Sequence, residues 1–525
     1  MVFVRNNTET RLARMRQAAA DIAAVLEPED IRADFPSAAT WYETLTRMLA
    51  DLDSREDYLD WTLVVLAGSC GAGKSSLLNF MTGENSAPVG NIRPTTTKIR
   101  GFSSGCPTPE FCDYLGLAEI TTVPTVPGER GLPQNLVVVE LPDRRLLAED
   151  ERLVSAVEGL LDAADLTIWV TDPQKYADAD FLHDLRRWGD SGSSLMVLTH
   201  TDTLSESELE EVQADLGRIF KAQGLDLPLL ATSCYQDASL AQFRQTVREA
   251  GAPPEAVYRG MQSRIRRVAR VVSEEAQLDV DMHFPEKRED IKFCADISQA
   301  CGLDTIETQF ESDYLRDSRP VVLFAPQAWF AGVKTAAKKM LFKPHLAGTQ
   351  EVQQAAAAYA SVAGKYLPGI WRDFLGRRGT RLAEATVSAL NLATASWDPP
   401  QVKHQIWWRI WWTLQWICNI LAVIGFVWFL IWFVCLMGGV TLPGTIGTIP
   451  MGPLAFLGGA LVTILCALGG IKISAARARR FGETGAAKFR QLTDEVSRKA
   501  FLEPMRQNLS LYTQLKEFGQ QVGGI

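Results

Sequence analysis

The spacing of hydrophobic residues divides the chain into regions with different repeats. Residues 9–58 place their apolar side chains on one helical face, and the segments EPED and DFPS break this helix into two or three pieces. Five short apolar runs follow, with helical patterns between most of them. They are TLVVLA (62–67), LVVVEL (136–141), LTIWVT (166–171), SLMVLT (194–199) and PLLAT (228–232). Such runs are typical of parallel strands buried on both faces, so they predict a doubly wound, mostly parallel α/β domain.

Helical periodicity alone continues beyond the last of these runs. Residues 255–402 are rich in Ala, Arg and Glu, and they lack strand-like runs. The final part of the chain again repeats its apolar positions at helical spacing, from Phe489 to Leu509. These patterns predict an all-α helical stalk.

The segment from Ile410 to Ile471 contains no Asp, Glu, Lys or Arg over its 62 residues. One membrane-spanning helix needs about 20 apolar residues, and the Pro- and Gly-rich stretch at 441–453 interrupts the segment. The pattern predicts a two-helix transmembrane hairpin with spans at about 411–440 and 453–473. Seven of the 14 tryptophans lie between residues 407 and 432, and indole rings at the entrance of a span favour the headgroup region.

Basic residues flank both sides of this hairpin, and its connector has none. They are Lys403, His404 and Arg409 before it, and Lys472, Arg477, Arg479 and Arg480 after it. This asymmetry predicts that both termini face the cytoplasm and that the turn lies outside. No signal peptide is expected at the N-terminus, and the nine scattered cysteines fit neither a zinc site nor a redox pair. A net charge of −9 argues against nucleic acid as a partner.

The segment GSCGAGKS at 68–75 fits the pattern G-x-x-x-x-G-K-[ST] between a strand-like run and a helical pattern. Glycines let backbone N–H groups converge on phosphate oxygens, the lysine places an ammonium at the β- and γ-phosphates, and the hydroxyl that follows binds Mg²⁺. We therefore expect a nucleotide-binding loop. Its members are Gly68, Cys70, Gly71, Ala72, Gly73, Lys74, Ser75 and Ser76.

Two further positions are candidate Mg²⁺ ligands together with Ser75. RPTTTK at 93–98 lies about 20 residues past the lysine, where a GTPase keeps the threonine that closes over Mg²⁺ and the γ-phosphate. Thr96 is the predicted residue, and Thr95 and Thr97 remain open. ELPD ends the second apolar run, where a D-x-x-G motif would lie, and this makes Glu140 the third candidate. Lys74, Ser75, Thr96 and Glu140 form the predicted catalytic set.

The ends of the last two strand-like runs predict that the base is guanine. THTD at 199–202 stands where N-K-x-D recognises guanine, and the Asp202 carboxylate can accept from both the ring N–H and the exocyclic amine. Adenine lacks that pair of donors. ATSC at 231–234 fits the backbone contact to the guanine oxygen. The predicted base-binding residues are Thr199, His200, Asp202, Ser233 and Cys234.

These motifs together resemble those of Era-related, dynamin-like GTPases of the translation-factor class, and more narrowly the actinobacterial YfjP-like membrane GTPases. The segments that carry the resemblance are GSCGAGKSSLLNFMTG, PVGNIRPTTT, VVVELPD, WVTDPQKYADA, VLTHTD and the Trp-rich double apolar segment. It covers the GTPase domain by motif and the rest of the chain by layout. The resemblance implies that Asp143, in the glycine position of the third motif, is a trait of the group.

The chain departs from the general GTPase pattern at three places. Glu140 replaces an Asp, and His200 replaces the Lys or Gln that packs along the guanine. Arg144 and Arg145 stand where a water-positioning glutamine is expected, and we favour a solvated loop there over an arginine finger. Hydrolysis is therefore expected to be slow, completed by a partner subunit, or absent. The segment DPQKYADAD at 172–180 suggests only a structural role.

The expected architecture has five parts. They are N-terminal helices that join the stalk (1–60), a GTPase domain (61–254), a helical stalk (255–405), the transmembrane hairpin (406–473) and a C-terminal helix packing back on the stalk (474–525). The resemblance implies a GTPase of the cell membrane that uses GTP/GDP and Mg²⁺. It also implies action on a lipid bilayer, as a homo-oligomer or paired with a related GTPase, in membrane remodelling, fusion or tethering. The alternatives are a membrane-bound signalling switch and a nucleotide-sensing, channel-like membrane protein.

Overall fold

The computed structural model describes residues 2–83, 99–117, 120–123, 132–142, 150–322, 348–402, 405–438, 445–446 and 449–523. The chain forms two compact units. The first comprises Met1–Asp279 together with Leu511–Ile525, and the second comprises Val280–Ser510. The five-part division expected from the sequence is finer than this and stays a prediction.

A seven-stranded sheet is the centre of the first unit. Its described strands are β1 Thr62–Gly68, β2 Arg100–Ser103, β3 Ile120–Thr122, β4 Leu136–Glu140, β5 Leu166–Thr171, β6 Ser194–Leu198 and β7 Leu229–Ala231. They lie in the order β3-β2-β4-β1-β5-β6-β7. Neighbouring strands are parallel except β2 and β4, which are antiparallel. The predicted doubly wound, mostly parallel sheet is confirmed.

The two short strands β2 and β3 are absent from the sequence prediction. Their sequences, RGFS and ITT, carry no continuous apolar run. β2 becomes a strand because it pairs antiparallel with the buried strand β4, and β3 then pairs with β2. Such pairing is a tertiary effect that local propensity does not reveal.

Helices surround the sheet and complete the first unit. They are α1 Val2–Leu26, α2 Glu29–Asp34, α3 Pro36–Glu56, α4 Lys74–Thr82, α5 Pro109–Tyr114, α6 Glu151–Ala163, α7 Ala179–Trp188, α8 Glu206–Ala222, α9 Asp237–Ala250 and α10 Glu255–Ala276. Successive residues of β1 point to opposite faces, so Leu63 and Val65 join one core and Val64 and Leu66 join the other. Because helices cover both faces, every residue of β4, β5 and β6 is buried.

Two ion pairs with buried carboxylates connect the sheet to the helices that precede and follow it in the chain. Arg55, at the end of α3, donates to Asp165 at 2.5 Å, and both side chains are fully buried. Asp165 also accepts from the backbone N–H of Leu63 at 2.8 Å. Arg266 of α10 binds Asp190 through two nitrogens, at 2.6 and 2.8 Å. Removing one partner of such a pair leaves a buried charge, which typically costs about 3–5 kcal/mol.

A row of arginines on α10 binds the carboxyl ends of two sheet helices. Arg264 donates to the carbonyl oxygen of Ala163, and Arg267 donates to that of Asp162 at 3.0 Å, at the end of α6. Arg270 donates to the carbonyls of Arg186 and Gly189 at the end of α7. Burial lowers the pKa of Arg267 to about 10. These cations satisfy terminal carbonyls and complement the negative ends of both helix dipoles.

The second unit is helical in its described residues, apart from a two-stranded turn. Its elements are α11 Lys287–Ala300, α12 Leu303–Val322, α13 Thr349–Ala363, α14 Gly369–Ser396, α15 Ile406–Met437, β8 Thr445–Ile446, β9 Ile449–Pro450 and α16 Met451–Ser497. A π-helical turn at Arg498–Leu502 follows. The last helix, α17 Glu503–Gly523, begins in this unit, and its residues from Leu511 on belong to the first unit. This composition agrees with the predicted all-α region.

The helices α15 and α16 are long and apolar enough to cross a membrane. Their most apolar windows have mean hydropathies of 2.8 and 2.0, and only 6% and 11% of each window is buried. A core helix of a soluble protein would be mostly buried, so the low burial separates these helices from that class. α15 starts at Ile406, before the predicted boundary at 411. α16 starts at Met451 rather than 453, because Pro453 lies in its first turn, where proline is tolerated. α16 continues to Ser497 without a break, which at 1.5 Å per residue makes it about 70 Å long.

Acid is expected to weaken the first unit through Asp190. Burial alone would raise the pKa of this carboxyl, but Arg266, Ser263 and the Gly192 N–H hold it at about 2, below the unfolded value of about 3.9. Its contribution of roughly 2 kcal/mol is therefore present above about pH 5 and lost as the pH falls toward 2. Chemical unfolding of the full-length chain in detergent, followed between pH 5 and 2.5, measures this loss. Asp190→Asn should be less stable at pH 7 and less sensitive to acid, and equal pH slopes for both proteins would contradict the assignment.

Candidate functional site

The predicted site residues that the structure describes meet at one edge of the sheet. β1, β4, β5, β6 and β7 are parallel, so their carboxyl ends lie side by side. The ends of β1, β4, β6 and β7 carry the predicted motifs or lead into them. Ligands in open α/β sheets bind in the crevice outside these ends.

The phosphate loop connects β1 to α4, and its glycines at positions 68, 71 and 73 all have a positive φ. Gly68 has a φ of +144°, and a Cβ there would lie 1.9 Å from the carbonyl oxygen of Val170 on the neighbouring strand. Gly73, with a φ of +89°, precedes the first residue of α4. Steric contact excludes a side chain at Gly68, and the left-handed φ disfavours one at Gly73. The loop ends at the amino end of α4, where anions bind.

The side chain of Lys74 folds back over this loop, so its ammonium contacts the loop backbone. Its side chain is buried, and Nζ donates to the carbonyl oxygens of Gly68 at 2.8 Å and Ser69 at 3.1 Å. A nucleotide would offer phosphate oxygens to the same ammonium. This position agrees with the role predicted from the sequence pattern.

Two side chains from neighbouring strand ends also bind carbonyl oxygens of the loop. The hydroxyl of Thr199, which is buried, lies 2.7 Å from the carbonyl oxygen of Ala72 and 3.0 Å from that of Thr171. Lys175 Nζ donates to the carbonyl oxygen of Cys70. Both contacts tie the loop backbone to the sheet.

Ser75 and Glu140 lie together as the predicted metal ligands. The Ser75 hydroxyl donates to Oε1 of Glu140 at 2.6 Å, and the Glu140 side chain is buried at the end of β4. Mg²⁺ prefers hard oxygen ligands and usually keeps waters and substrate phosphates as further ligands. A hydroxyl and a carboxylate beside a phosphate loop fit this requirement, so the longer Glu side chain reaches where an Asp is usual. No cluster of three or more His, Cys, Asp or Glu suited to a metal occurs among the described residues.

The residues predicted to bind guanine also converge. Ser233, which is buried after β7, donates from Oγ to Oδ1 of Asp202 at 2.5 Å. The hydroxyl of Ser233 also accepts from the backbone N–H of Tyr235 at 3.1 Å. These bonds orient the exposed Asp202 carboxylate at the end of the β6 motif. A fixed carboxylate can then accept two N–H groups from guanine.

His200 and Cys234 complete the predicted set at the rim of the site. His200 has a left-handed backbone with a φ of +56°, and its Nδ1 is 3.0 Å from the Thr199 hydroxyl. The thiol of Cys234 lies near the Asp202 carboxylate. Its pKa is raised by burial of the sulfur and by the Asp202 carboxylate. The structure thus brings the β6 and β7 motifs to the first turn of α4.

Some of the predicted residues lie outside the described part of the chain. They are Thr95, Thr96, Thr97, Asp143, Arg144 and Arg145. Their predicted roles stay predictions.

Sequence reasoning missed the contact between Lys175 and the phosphate loop. It assigned the segment 172–180 only a structural role. Within this segment, the hydroxyl of Tyr176 donates to Asp215 at 2.9 Å. The position of Lys175 in the chain could have predicted this contact, because Lys175 follows β5 and β5 is the neighbour of β1. A cation just after that strand lies at the same sheet edge as the loop.

Comparison with protein families identifies the central part of the chain. A family model described as "50S ribosome-binding GTPase" matches residues 63–200, about a quarter of the chain. The match covers the phosphate loop, the β4 motif and the start of the β6 motif. Together with the fold, it shows that the chain contains a P-loop GTPase domain. No curated protein matches the chain.

Three solved structures are similar to this chain at low sequence identity. The chain is similar to a member of an oligomerised bacterial dynamin pair, with 11% identity, a TM-score of 0.34, and coverage of 96% of this chain and 95% of that one. The LeoA bacterial dynamin GTPase from ETEC has 13% identity and a TM-score of 0.28, and the match covers 97% of this chain and 98% of that one. The bacterial selenocysteine-specific elongation factor EF-Sec has 16% sequence identity and a TM-score of 0.26. The match covers 36% of this chain and 28% of that factor, so the chain spans less than a third of it. With TM-scores below 0.5, these similarities carry no argument about function.

Asp202→Asn is expected to weaken the preference for GTP over ATP. The amide places a donor group against the guanine N–H groups, although the bond from Ser233 can remain. Competition of GTP, GDP and ATP for a fluorescent guanine nucleotide measures the preference. A selectivity ratio equal to that of the unsubstituted protein would refute the role of this carboxylate.

Glu140→Gln is expected to raise the Mg²⁺ concentration needed for half-maximal nucleotide binding by about tenfold to a hundredfold. Groups around a metal typically affect its affinity by this amount. The amide keeps the size of the side chain and a hydrogen bond to Ser75 but loses the negative charge. A titration of nucleotide affinity against Mg²⁺ tests this, and an unchanged midpoint would show that Glu140 does not serve the metal.

Proposed function

We propose that this chain is a membrane-anchored, dynamin-like GTPase. It binds and hydrolyses GTP with Mg²⁺ and couples its nucleotide state to membrane remodelling, fusion or tethering. One observation carries the proposal: a P-loop GTPase domain occurs in the same polypeptide as two exposed apolar helices of membrane-spanning length. The named residues at the sheet edge are the proposed nucleotide and Mg²⁺ ligands.

The apolar helices support attachment to a bilayer. Many of their large side chains are exposed, including Trp412, Trp416, Ile424, Val434 and Leu461. Exposed apolar patches of this extent mark sites that contact lipid or another apolar surface. Basic residues on both sides of the hairpin favour a cytoplasmic location for both termini and for the GTPase domain.

The contacts of α10 supply a route from the nucleotide site to the helical part of the first unit. α6 and α7 connect parallel strands, so each runs from the carboxyl edge of the sheet to the opposite edge. Their far ends are held by Arg264, Arg267 and Arg270 of α10. A shift of either helix on nucleotide exchange would therefore move buried cations on α10. Switch loops ordered by the γ-phosphate provide such shifts in other GTPases.

Assembly is part of the proposal because the sequence supplies no water-positioning glutamine after the β4 motif. Arg144 and Arg145 occupy that stretch. Catalysis completed by a second copy of the chain, or by a related GTPase, accounts for hydrolysis without it. Stimulation by groups supplied in trans is known to raise GTPase rates greatly.

The proposed function predicts a GTP turnover rate that rises with protein concentration and with liposomes. The test uses the full-length protein, first in detergent and then reconstituted, over a range of concentrations. Lys74→Ala is the matched control, and it should lose nucleotide binding because it removes the ammonium of the loop. Lysis, fusion or tethering of liposomes that requires GTP would support remodelling.

Three results would contradict the proposal in different parts. Absence of GTP binding by the full-length protein would refute the proposed nucleotide function. GTP turnover that is the same with and without membranes, and at all concentrations, would exclude catalysis by assembly. Liposome changes that are independent of GTP would exclude coupling and leave a signalling switch or a channel-like protein.

A further inference from the structure

Lys175 brings a cation to the phosphate loop from outside it, and no motif of the GTPase pattern supplies this cation. It belongs to the segment DPQKYADAD, and its ammonium donates to the carbonyl oxygen of Cys70 in the loop. The side chain is 24% exposed, so most of it lies against protein. Asp172 is its nearest carboxylate, with Oδ2 at 3.9 Å.

The segment around Lys175 is fixed on both sides. The backbone N–H of Lys175 donates to the carbonyl of Asp172 at 3.1 Å, and its own carbonyl accepts from Asp178 at 3.0 Å. The next residue, Tyr176, is bound to Asp215 of α8. The lysine therefore starts from a defined turn, which reduces the conformational entropy lost when its ammonium binds the loop.

A loop that binds phosphate must turn its N–H groups inward and its carbonyl groups outward. The outward carbonyls then need donors of their own. In this loop Lys74 serves the carbonyls of Gly68 and Ser69, Lys175 serves that of Cys70, and Thr199 serves that of Ala72. Lys74 is the one of the three that must turn toward phosphate when a nucleotide binds, so Lys175 and Thr199 are the contacts that can hold the loop in the bound state.

A second residue near the loop, His200, differs from the usual GTPase pattern. The N-K-x-D pattern has a lysine there, whereas this chain has an imidazole next to the Thr199 hydroxyl. A Cβ added at Gly73 would lie 3.7 Å from Cε1 of His200, so position 200 borders the loop. The β6 motif thus brings an imidazole to the edge of the loop, and the lysine that contacts the loop backbone comes from the adjacent β5 turn.

We propose that Lys175 is a positioning residue of the nucleotide site, which holds the phosphate loop in its anion-binding conformation by donating to the carbonyl of Cys70. This inference rests on the proposed nucleotide binding and adds a residue to it. Lys175 acts through the loop backbone and not on the γ-phosphate. Its effect must therefore be the same for a nucleoside triphosphate and for a diphosphate.

The test replaces Lys175 by Met, which keeps the length of the side chain and removes its charge and donors. The dissociation constants of the full-length protein for GTP and GDP should both rise, by the same factor of about ten to one hundred, as expected for loss of a hydrogen bond to a charged group. Lys175→Arg restores a cationic donor and should recover most of the affinity. Thr199→Val removes the neighbouring donor to the loop and should act in the same direction.

Lys221→Met is the matched control, because Lys221 is an exposed lysine in the last turn of α8. It should leave both affinities unchanged. Thermal unfolding without nucleotide provides the second readout, and Lys175→Met should change it little while it changes the stabilisation by added GTP and GDP.

Each other outcome overturns the inference. Unchanged affinities in Lys175→Met would show that the contact has no function. Loss of GTP affinity alone would make Lys175 a direct phosphate ligand. Equal loss with no recovery in Lys175→Arg, and with lower stability of the nucleotide-free protein, would show a structural role. Absence of GTP binding by the unsubstituted protein would instead refute the proposed function.

Discussion

The conformation of the loop at residues 68–73 is the constraint on which the rest of the structure depends. Its N–H groups can serve an anion only if its carbonyl groups turn away and find donors. The strand order supplies such donors, because β1 lies between β4 and β5 and β6 is close enough for Thr199 to reach Ala72. It also explains why Gly68 accepts no side chain, since the neighbouring strand passes directly against it.

The sequence predicts most of this arrangement because the loop is local. A glycine pattern between an apolar run and a helix contains nearly all the information, and the strand ends add Glu140, Thr199 and Asp202 in order. Contacts that depend on strand order are different. Lys175 is far from Cys70 in the chain, and only the pairing of β5 with β1 brings them together. The short strands β2 and β3 were missed for the same reason, because their stability comes from β4.

Charge burial shows a similar limit of sequence reasoning. Arg55, Arg266 and Arg267 lie in amphipathic helices whose pattern predicts solvated cations. The structure buries Arg55 against Asp165 and Arg267 against the terminal carbonyls of α6, and it partly buries Arg266 against Asp190. Their partners are distant in sequence, so no spacing reveals the pairs. The apolar helices are the opposite case: length and lack of charge predicted both, and the structure places their termini within about five residues of those expected in three of four cases.

The central claim is that the edge of this sheet binds a guanine nucleotide in a chain that also carries two helices long and apolar enough to cross a membrane. Calorimetric titration of the full-length protein in detergent with GTP and with ATP, in the presence of Mg²⁺, tests it most directly. The account predicts saturable binding of GTP with one site per chain and much weaker binding of ATP. Equal binding of both nucleotides, or binding of neither, would contradict it.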